Sequence, residues 1–555
     1  MPPSLDLTAL GLSPPVRRPP LPGGPQTVAD VIDRWVADDP DREALVGRDA
    51  RYTYAALDRA ANRAANALAT LGVRPGDRVA ASLPNLAELV VAFLGAQRLG
   101  AVWVGLNRPL AAPEKAYMLR DCEAAVFLGD PEMAAQVEAR AGELPALRHR
   151  LVTGPDGTWG ARVAAASTER PRVAIDPFAP AAIAYTGGTT GFPKGAVHSQ
   201  HNLLVPGTVA AAAGTWTAEE RQGVLLPLTI LNLVVLIPLV AFQVGSACVC
   251  MDRIDPLGVA EWVRTERIAT FHAVPAILHD LLTHEGVKPA DLASLTRPEV
   301  GGADCPDAFR TLYRERFGQD VSIGYGMTEA PTAVTRALPG SPNLPGICGT
   351  PLPWIAIEIR DDAGVKLPTG EVGEICVAPA ETGPFAGIYT PMLGYWKKPD
   401  ETREALRDGV YRTGDLGCLD AGGTLFIRGR KKELILRGGA NVYPAEIERV
   451  LHGDPRVRAC AVVGRPDPRL GERVVAFVEL APGAVVAAEE LRARCAAELA
   501  RYKVPEDFRF VDAMPRTPMG KIRKPDLRAL FDEPGEFGGL DEPGEFSGPD
   551  DLGEV

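Results

Sequence analysis

The chain has 555 residues, 46% of them hydrophobic, which is more than one hydrophobic core usually organises, so two or more domains are expected. Its net charge is −12, but the last 25 residues hold nine acidic side chains and no basic one, and subtracting them leaves −3 for the rest. Neither balance offers the basic surface that a nucleic-acid partner requires, and that class is excluded.

In chain order, residues 1–25 hold eight prolines and no apolar h-region, and read as a flexible lead rather than a signal peptide. Residues 51 to 71 place apolar side chains at helical spacing with Arg and Asn opposite. VRPGDRVAAS then reads as a turn and strand, and Leu86 to Leu99 as a helix. Alternation of short apolar strands with helices continues to about 330 and argues for α/β layers with largely parallel sheets. After 346, WIAIEIR and EVGEICVA are strand-rich and suggest a smaller β subdomain.

One stretch, Gly223 to Met251, is uncharged and long enough to cross a bilayer. Its Pro227, Pro238, Asn232, Gln243 and Gly245 favour a buried core segment, with peripheral membrane contact left open. Nine cysteines are scattered from Cys122 to Cys495 without a CxxC pair, which fits reduced thiols in a cytoplasmic protein. His272, in ATFHAVPAIL, reads as a packed core residue rather than a base.

Beyond Arg430 the pattern changes. KKELIL starts a strand, and GGANVYPAEIERVLHG is a turn followed by a helix with Pro444 in its first turn. VRACAVVGRPD and ERVVAFVEL are strands and AAEELRARCAAELA a helix, so a compact α+β domain is expected over 432–530. The tail, 531–555, repeats DEPGEFGGL as DEPGEFSGP and is expected to be disordered. Its alternative role is as a docking peptide anchored by Phe537 and Phe546.

The chemistry starts at 184 to 199, AYTGGTTGFPKGAVHS. Gly187, Gly188, Gly191 and Gly195 let successive backbone N–H groups turn toward one anion, while Thr186, Thr189, Thr190 and Lys194 add hydroxyls and a cation. The expected ligand is a nucleotide polyphosphate. This is not the familiar P-loop, since glycine and not Ser or Thr follows Lys194.

Four further segments are GYGMTEA at 324 to 330, YRTGDLG at 411 to 417, IRGRKKELILRGGANVYPAEIE at 427 to 448 and PRTPMGKIRK at 515 to 524. In that order the five resemble the adenylate-forming superfamily of acyl-CoA synthetases, luciferases and adenylation domains, over about residues 26 to 530. The resemblance implies a large N-terminal α/β domain, 26–431, with layered sheets plus a β subdomain, which binds ATP and acid. It also implies a small mobile α+β C-terminal domain that turns on a hinge at Lys432.

The resemblance also assigns roles. Thr186, Thr189, Thr190 and Lys194 contact the β and γ phosphates, Thr328 the α-phosphate, and Glu329 a Mg²⁺ ion. Tyr325 and Gly302 line the nucleotide site, Asp415 takes the two ribose hydroxyls, and Arg430 adds a ribose or phosphate contact. Lys521 bridges the substrate carboxylate and the α-phosphate. Gly438 and Gly439 let the coenzyme A (CoA) arm pass the backbone. Gly301, Gly324, Ile230 and Asn232 border the acid pocket. The chain departs from many relatives in LPLTILNLVVL, where Thr229 and Ile230 replace an aromatic residue and histidine. It also lacks an aspartate for an amino-acid ammonium, which disfavours amino acids.

The expectation is an ATP-dependent carboxylic acid–CoA ligase acting on an apolar aliphatic, alicyclic or aromatic acid. The alternatives are an enzyme that loads a carrier-protein thiol and a catalytically silent acyl-nucleotide scaffold. The partners expected are the acid, ATP and CoA, with room left for a homodimer.

Overall fold

The computed structural model describes residues 6–531 except 155, 187–192, 302–306, 319–320, 331, 338–339, 342–343, 345, 438–439 and 517–520. The acidic tail from 532 onward lies outside the described residues. The chain divides into two compact units, Met1–Lys432 and Glu433–Val555.

In the large unit the amphipathic stretch folds as the helix Tyr54–Thr70, capped by Thr53, whose hydroxyl accepts from the Ala56 N–H at 3.2 Å. It packs on the helix Ala87–Arg98 through small side chains: a Cβ added at Gly95 would lie 2.6 Å from Ala64 Cβ. Among the described residues thirteen strands form one sheet. Its parallel part includes Arg221–Val224, Cys248–Cys250, Ile268–Ala273, Glu299–Gly301 and Ser322–Met327. From Ser322–Met327 onward pairing turns antiparallel, through Thr332–Ala337 and Ile347–Pro351 to Leu425–Arg430 and Tyr411–Leu419. The strand-rich segment expected after 346 is thus continuous with the parallel sheet. Among the described residues a second sheet of seven strands is parallel except at Lys194–Ser199, which pairs antiparallel with both Pro180–Thr186 and Gly394–Tyr395.

The stretch Gly223 to Met251 enters as the end of a strand, and its helical part runs Leu231–Val234, a π turn Val235–Leu239 holding Pro238, and Val240–Val244. The missing N–H of Pro238 suits a widened turn. The helix ends at Gly245, whose φ of +85° and contact with Trp35, 2.3 Å from an added Cβ, leave room for glycine alone. Among the described residues no helix is long and apolar enough to cross a membrane.

The lead expected to be flexible is anchored at points within residues 6–25, although half of its residues are exposed. Leu12 and Leu21 are buried, Ser13 N–H donates to the Leu393 carbonyl at 2.8 Å, and Lys397 N–H donates to that of Leu10 at 2.9 Å. The prolines hold the backbone extended while the leucines between them find apolar cover, a match that composition does not reveal.

The small unit is built on a five-stranded sheet. Its hairpin Val457–Asp467 and Gly471–Leu480 is covered by the helices Pro444–His452 and Ala488–Glu498, with Ile447, Val462, Val474 and Leu491 in the core.

Candidate active site

The glycine loop joins two antiparallel strands, Pro180–Thr186 and Lys194–Ser199, whose register sets Thr186 opposite Lys194. Gly187, Gly188, Thr189, Thr190 and Gly191 lie outside the described residues. Gly195 is required by close approach, since a Cβ there would meet Ile183 Cγ2 at 2.6 Å. The Lys194 ammonium lies 3.9 Å from Glu401 Oε1 and 5.3 Å from the centre of the Tyr395 ring.

The strand Ser322–Met327 brings Tyr325 into the site and ends just before Thr328 and Glu329. Glu329 Oε1 accepts from the Tyr395 hydroxyl at 2.9 Å. The sheet sets Gly301 beside Gly324, and a Cβ on Gly301 would lie 3.0 Å from the Gly324 carbonyl oxygen. These two glycines, expected at the acid pocket, are therefore cross-strand neighbours. Gly302 lies outside the described residues.

Asp415 and Arg430 are cross-strand partners. Asp415 Oδ1 meets Arg430 Nε at 2.6 Å, and Oδ2 accepts from the Tyr325 hydroxyl at 2.6 Å. The Asp415 N–H donates to Thr413 Oγ1 at 3.0 Å, which fixes the backbone behind the carboxylate. The carboxylate is 7% exposed and its arginine 59%. Burial, then Asp415, pushes the Tyr325 phenol far above its ordinary range, so it stays a donor.

Asn232 lies in the short helical turn Leu231–Val234, and its Nδ2 donates to the Met327 carbonyl at 3.2 Å. Its Oδ1 is buried and has no hydrogen-bond partner among the described residues. The segment before it is pinned by Asn85, which donates to the Leu226 carbonyl at 3.0 Å and accepts from Leu228 N–H at 2.9 Å. His272 lies beside Glu299, and burial pushes its imidazole down, as expected of a packed residue.

In the small unit Lys521 is exposed, next to a bridge between Arg516 and Ile522. Arg437 and Ala440 pair across the position of Gly438 and Gly439, which lie outside the described residues. Lys432 is exposed in the 3₁₀ turn Lys431–Glu433.

Sequence reasoning missed Tyr395, Asn85 and Thr413. Tyr395 sits in MLGYW without local periodicity, and only its pairing with Lys194–Ser199 brings it to the site.

A hairpin-borne lysine, a turn carboxylate and a buried aspartate held by a tyrosine and an arginine lie on an α/β unit followed by a small α+β unit, an arrangement that accords with an adenylate-forming enzyme. The chain belongs to the AMP-binding enzyme family, whose model matches residues 32–396, with the AMP-binding enzyme C-terminal domain matching 446–521. It is 36% identical over 480 residues to a feruloyl-CoA synthase of Amycolatopsis sp, covering 86% of this chain and 94% of that one. It is 35% identical over 492 residues to long-chain-fatty-acid–CoA ligase FadD13 of Mycobacterium tuberculosis, covering 86% and 93%. The crystal structure of ATP-bound MatB from Rhodopseudomonas palustris aligns with a TM-score of 0.82 at 30% identity, over 91% of this chain and 99% of that one. With such relatives the chain is an acid–thiol ligase of the CoA ligase branch.

Proposed function

We propose that the enzyme activates an acid with an apolar body and a hydrogen-bond donor such as a hydroxyl, first as the acyl-adenylate and then as the CoA thioester. The observation that carries the nucleotide half is Asp415, a buried carboxylate fixed by Arg430 at Oδ1 and by the Tyr325 hydroxyl at Oδ2, which would accept from the two ribose hydroxyls. A carboxylate fixed before binding needs little reorganisation when charge moves. Asn232 carries the acid half: one hydrogen of its amide goes to the Met327 carbonyl, and its buried Oδ1, with no partner among the described residues, is an acceptor that a substrate donor would satisfy.

Thr186, Lys194 and the loop residues Thr189 and Thr190 would hold the departing phosphates, and Thr328 the α-phosphate. A substrate carboxylate oxygen attacks the α-phosphorus, the bond to the β-phosphate bridging oxygen breaks, and pyrophosphate leaves with the electron pair. Lys521 would offset the negative charge that gathers there. Glu329, with one carboxylate oxygen held by the Tyr395 hydroxyl, would offer the other to a Mg²⁺ ion. When bound, such an ion neutralises phosphate charge. In the second step the CoA thiol loses its proton to solvent, its sulfur bonds to the acyl carbon, the bond from that carbon to the phosphate oxygen breaks, and AMP departs with the electron pair. Rotation about Lys432 would withdraw Lys521 and admit the thiol past Gly438 and Gly439. Free thiols, buried except at Cys348 among those described, support a reducing cytoplasm as the compartment.

The test is mass spectrometry of products from MgATP and pairs of acids with and without a hydroxyl, in the presence and absence of CoA. Thioester and AMP from the hydroxylated members support the reading. Acyl-AMP without thioester would move the acceptor to a carrier-protein thiol, and no acid-dependent product would overturn both.

A further inference from the structure

Tyr395 is 8% exposed on the short strand Gly394–Tyr395, which pairs with Val197 and Ala196. Its hydroxyl donates to Glu329 Oε1 at 2.9 Å, and its ring centre lies 5.3 Å from Lys194 Nζ. The surrounding backbone ties the same groups together. Met392 N–H donates to the Glu329 carbonyl at 3.1 Å, and Trp396 N–H to that of Gly195 at 2.8 Å. Tyr395 N–H donates to Thr402 Oγ1 at 2.9 Å. Burial, then Glu329, keeps the phenol un-ionised.

We propose that Tyr395 is a positioning residue for adenylation, setting with one side chain both the Glu329 carboxylate and the Lys194 ammonium. The proposal rests on the roles given above to those two residues. A hydrogen bond to one carboxylate oxygen stops rotation of the group and leaves the other oxygen for a cation, as outer partners of metal ligands do. The ring face holds the ammonium by cation–π attraction, close to the hairpin end where phosphate would sit.

Tyr395→Phe keeps the ring and removes the hydroxyl, while Tyr395→Leu removes both. The probes are Mn²⁺, titrated by electron paramagnetic resonance into enzyme with α,β-methylene-ATP, and the same nucleotide in EDTA, titrated by calorimetry. Tyr395→Phe should weaken Mn²⁺ binding about 10-fold and leave metal-free nucleotide affinity within about twofold, since the ring contact survives. Tyr395→Leu should also weaken metal-free nucleotide binding, by about threefold. In a Glu329→Gln background, which itself weakens Mn²⁺ binding, adding Tyr395→Phe should change little, because the residue acts through Glu329. Wild-type Mn²⁺ affinity in Tyr395→Phe, with weakened affinity in Glu329→Gln, would overturn the role of Tyr395 alone. Unchanged affinity in Glu329→Gln would overturn the reading of Glu329 itself. Unchanged metal-free nucleotide affinity in Tyr395→Leu would overturn the Lys194 contact.

Discussion

The Tyr325 hydroxyl reaches Asp415 across 90 residues of sequence and donates to its Oδ2 at 2.6 Å, while Arg430 takes the other oxygen. The three groups differ in burial, and their substitutions should therefore separate folding from binding. Asp415→Ala leaves a partly buried phenol without its acceptor and should cost ~1–2 kcal/mol of stability as well as raising KM for ATP by about an order of magnitude. Arg430→Ala removes a largely exposed partner, so stability should change by less than ~1 kcal/mol while KM for ATP still rises. Urea unfolding together with steady-state kinetics checks both; equal stability losses would contradict the assignment.

Asn232 should set acid preference without touching the nucleotide. Asn232→Leu removes the acceptor, and a hydroxylated acid should lose ~10-fold in kcat/KM relative to its unsubstituted partner, the scale of a lost buried hydrogen bond. KM for ATP should hold. Competition between paired acids, read by mass spectrometry, measures the ratio, and an unchanged ratio would remove Asn232 from the acid site.

Lys432 lies in an exposed 3₁₀ turn at the end of the large unit. Proline there locks φ near ~−65° and should slow thioester formation from supplied acyl-adenylate ~10-fold or more, with adenylation less affected. Rapid-quench assays of the two half-reactions decide it. Equal losses would argue against a hinge.

These expectations separate what the sequence made legible from what it did not. Helical spacing in 51–71 and the turn, helix and paired strands after Gly438 translated into the elements observed, because both patterns are local. The motifs also named Asp415, Arg430, Thr328 and Glu329 before any geometry was available. Partners that meet through sheet pairing were hidden: Tyr395 finds Glu329 only because Gly394–Tyr395 extends the hairpin sheet. The cover found by Leu12 and Leu21 was equally invisible, since a proline-rich segment looks the same whether or not a surface receives it.

Burial pushes the His198 imidazole from 6.5 down to about 3, with its Nδ1 3.2 Å from Asn202 Nδ2. Between those values the unfolded chain binds a proton that the folded chain refuses. Stability is therefore full above the unfolded value and falls as pH is lowered through the window, by up to ~1.4 kcal/mol per pH unit from this residue. His201 and His272 are lowered by burial too and act in the same direction. His198→Leu should narrow the difference in urea midpoint between pH 7 and pH 5, and an unaltered difference would show that His198 does not carry the effect.

The central claim is that the acid is activated by transfer to AMP before any thiol enters. Its most direct test is isotope exchange between labelled pyrophosphate and ATP in the absence of CoA. The account predicts exchange that requires the acid and is largely abolished by Lys521→Ala with ATP binding kept. ADP and phosphate as products, or exchange that does not depend on the acid, would contradict it.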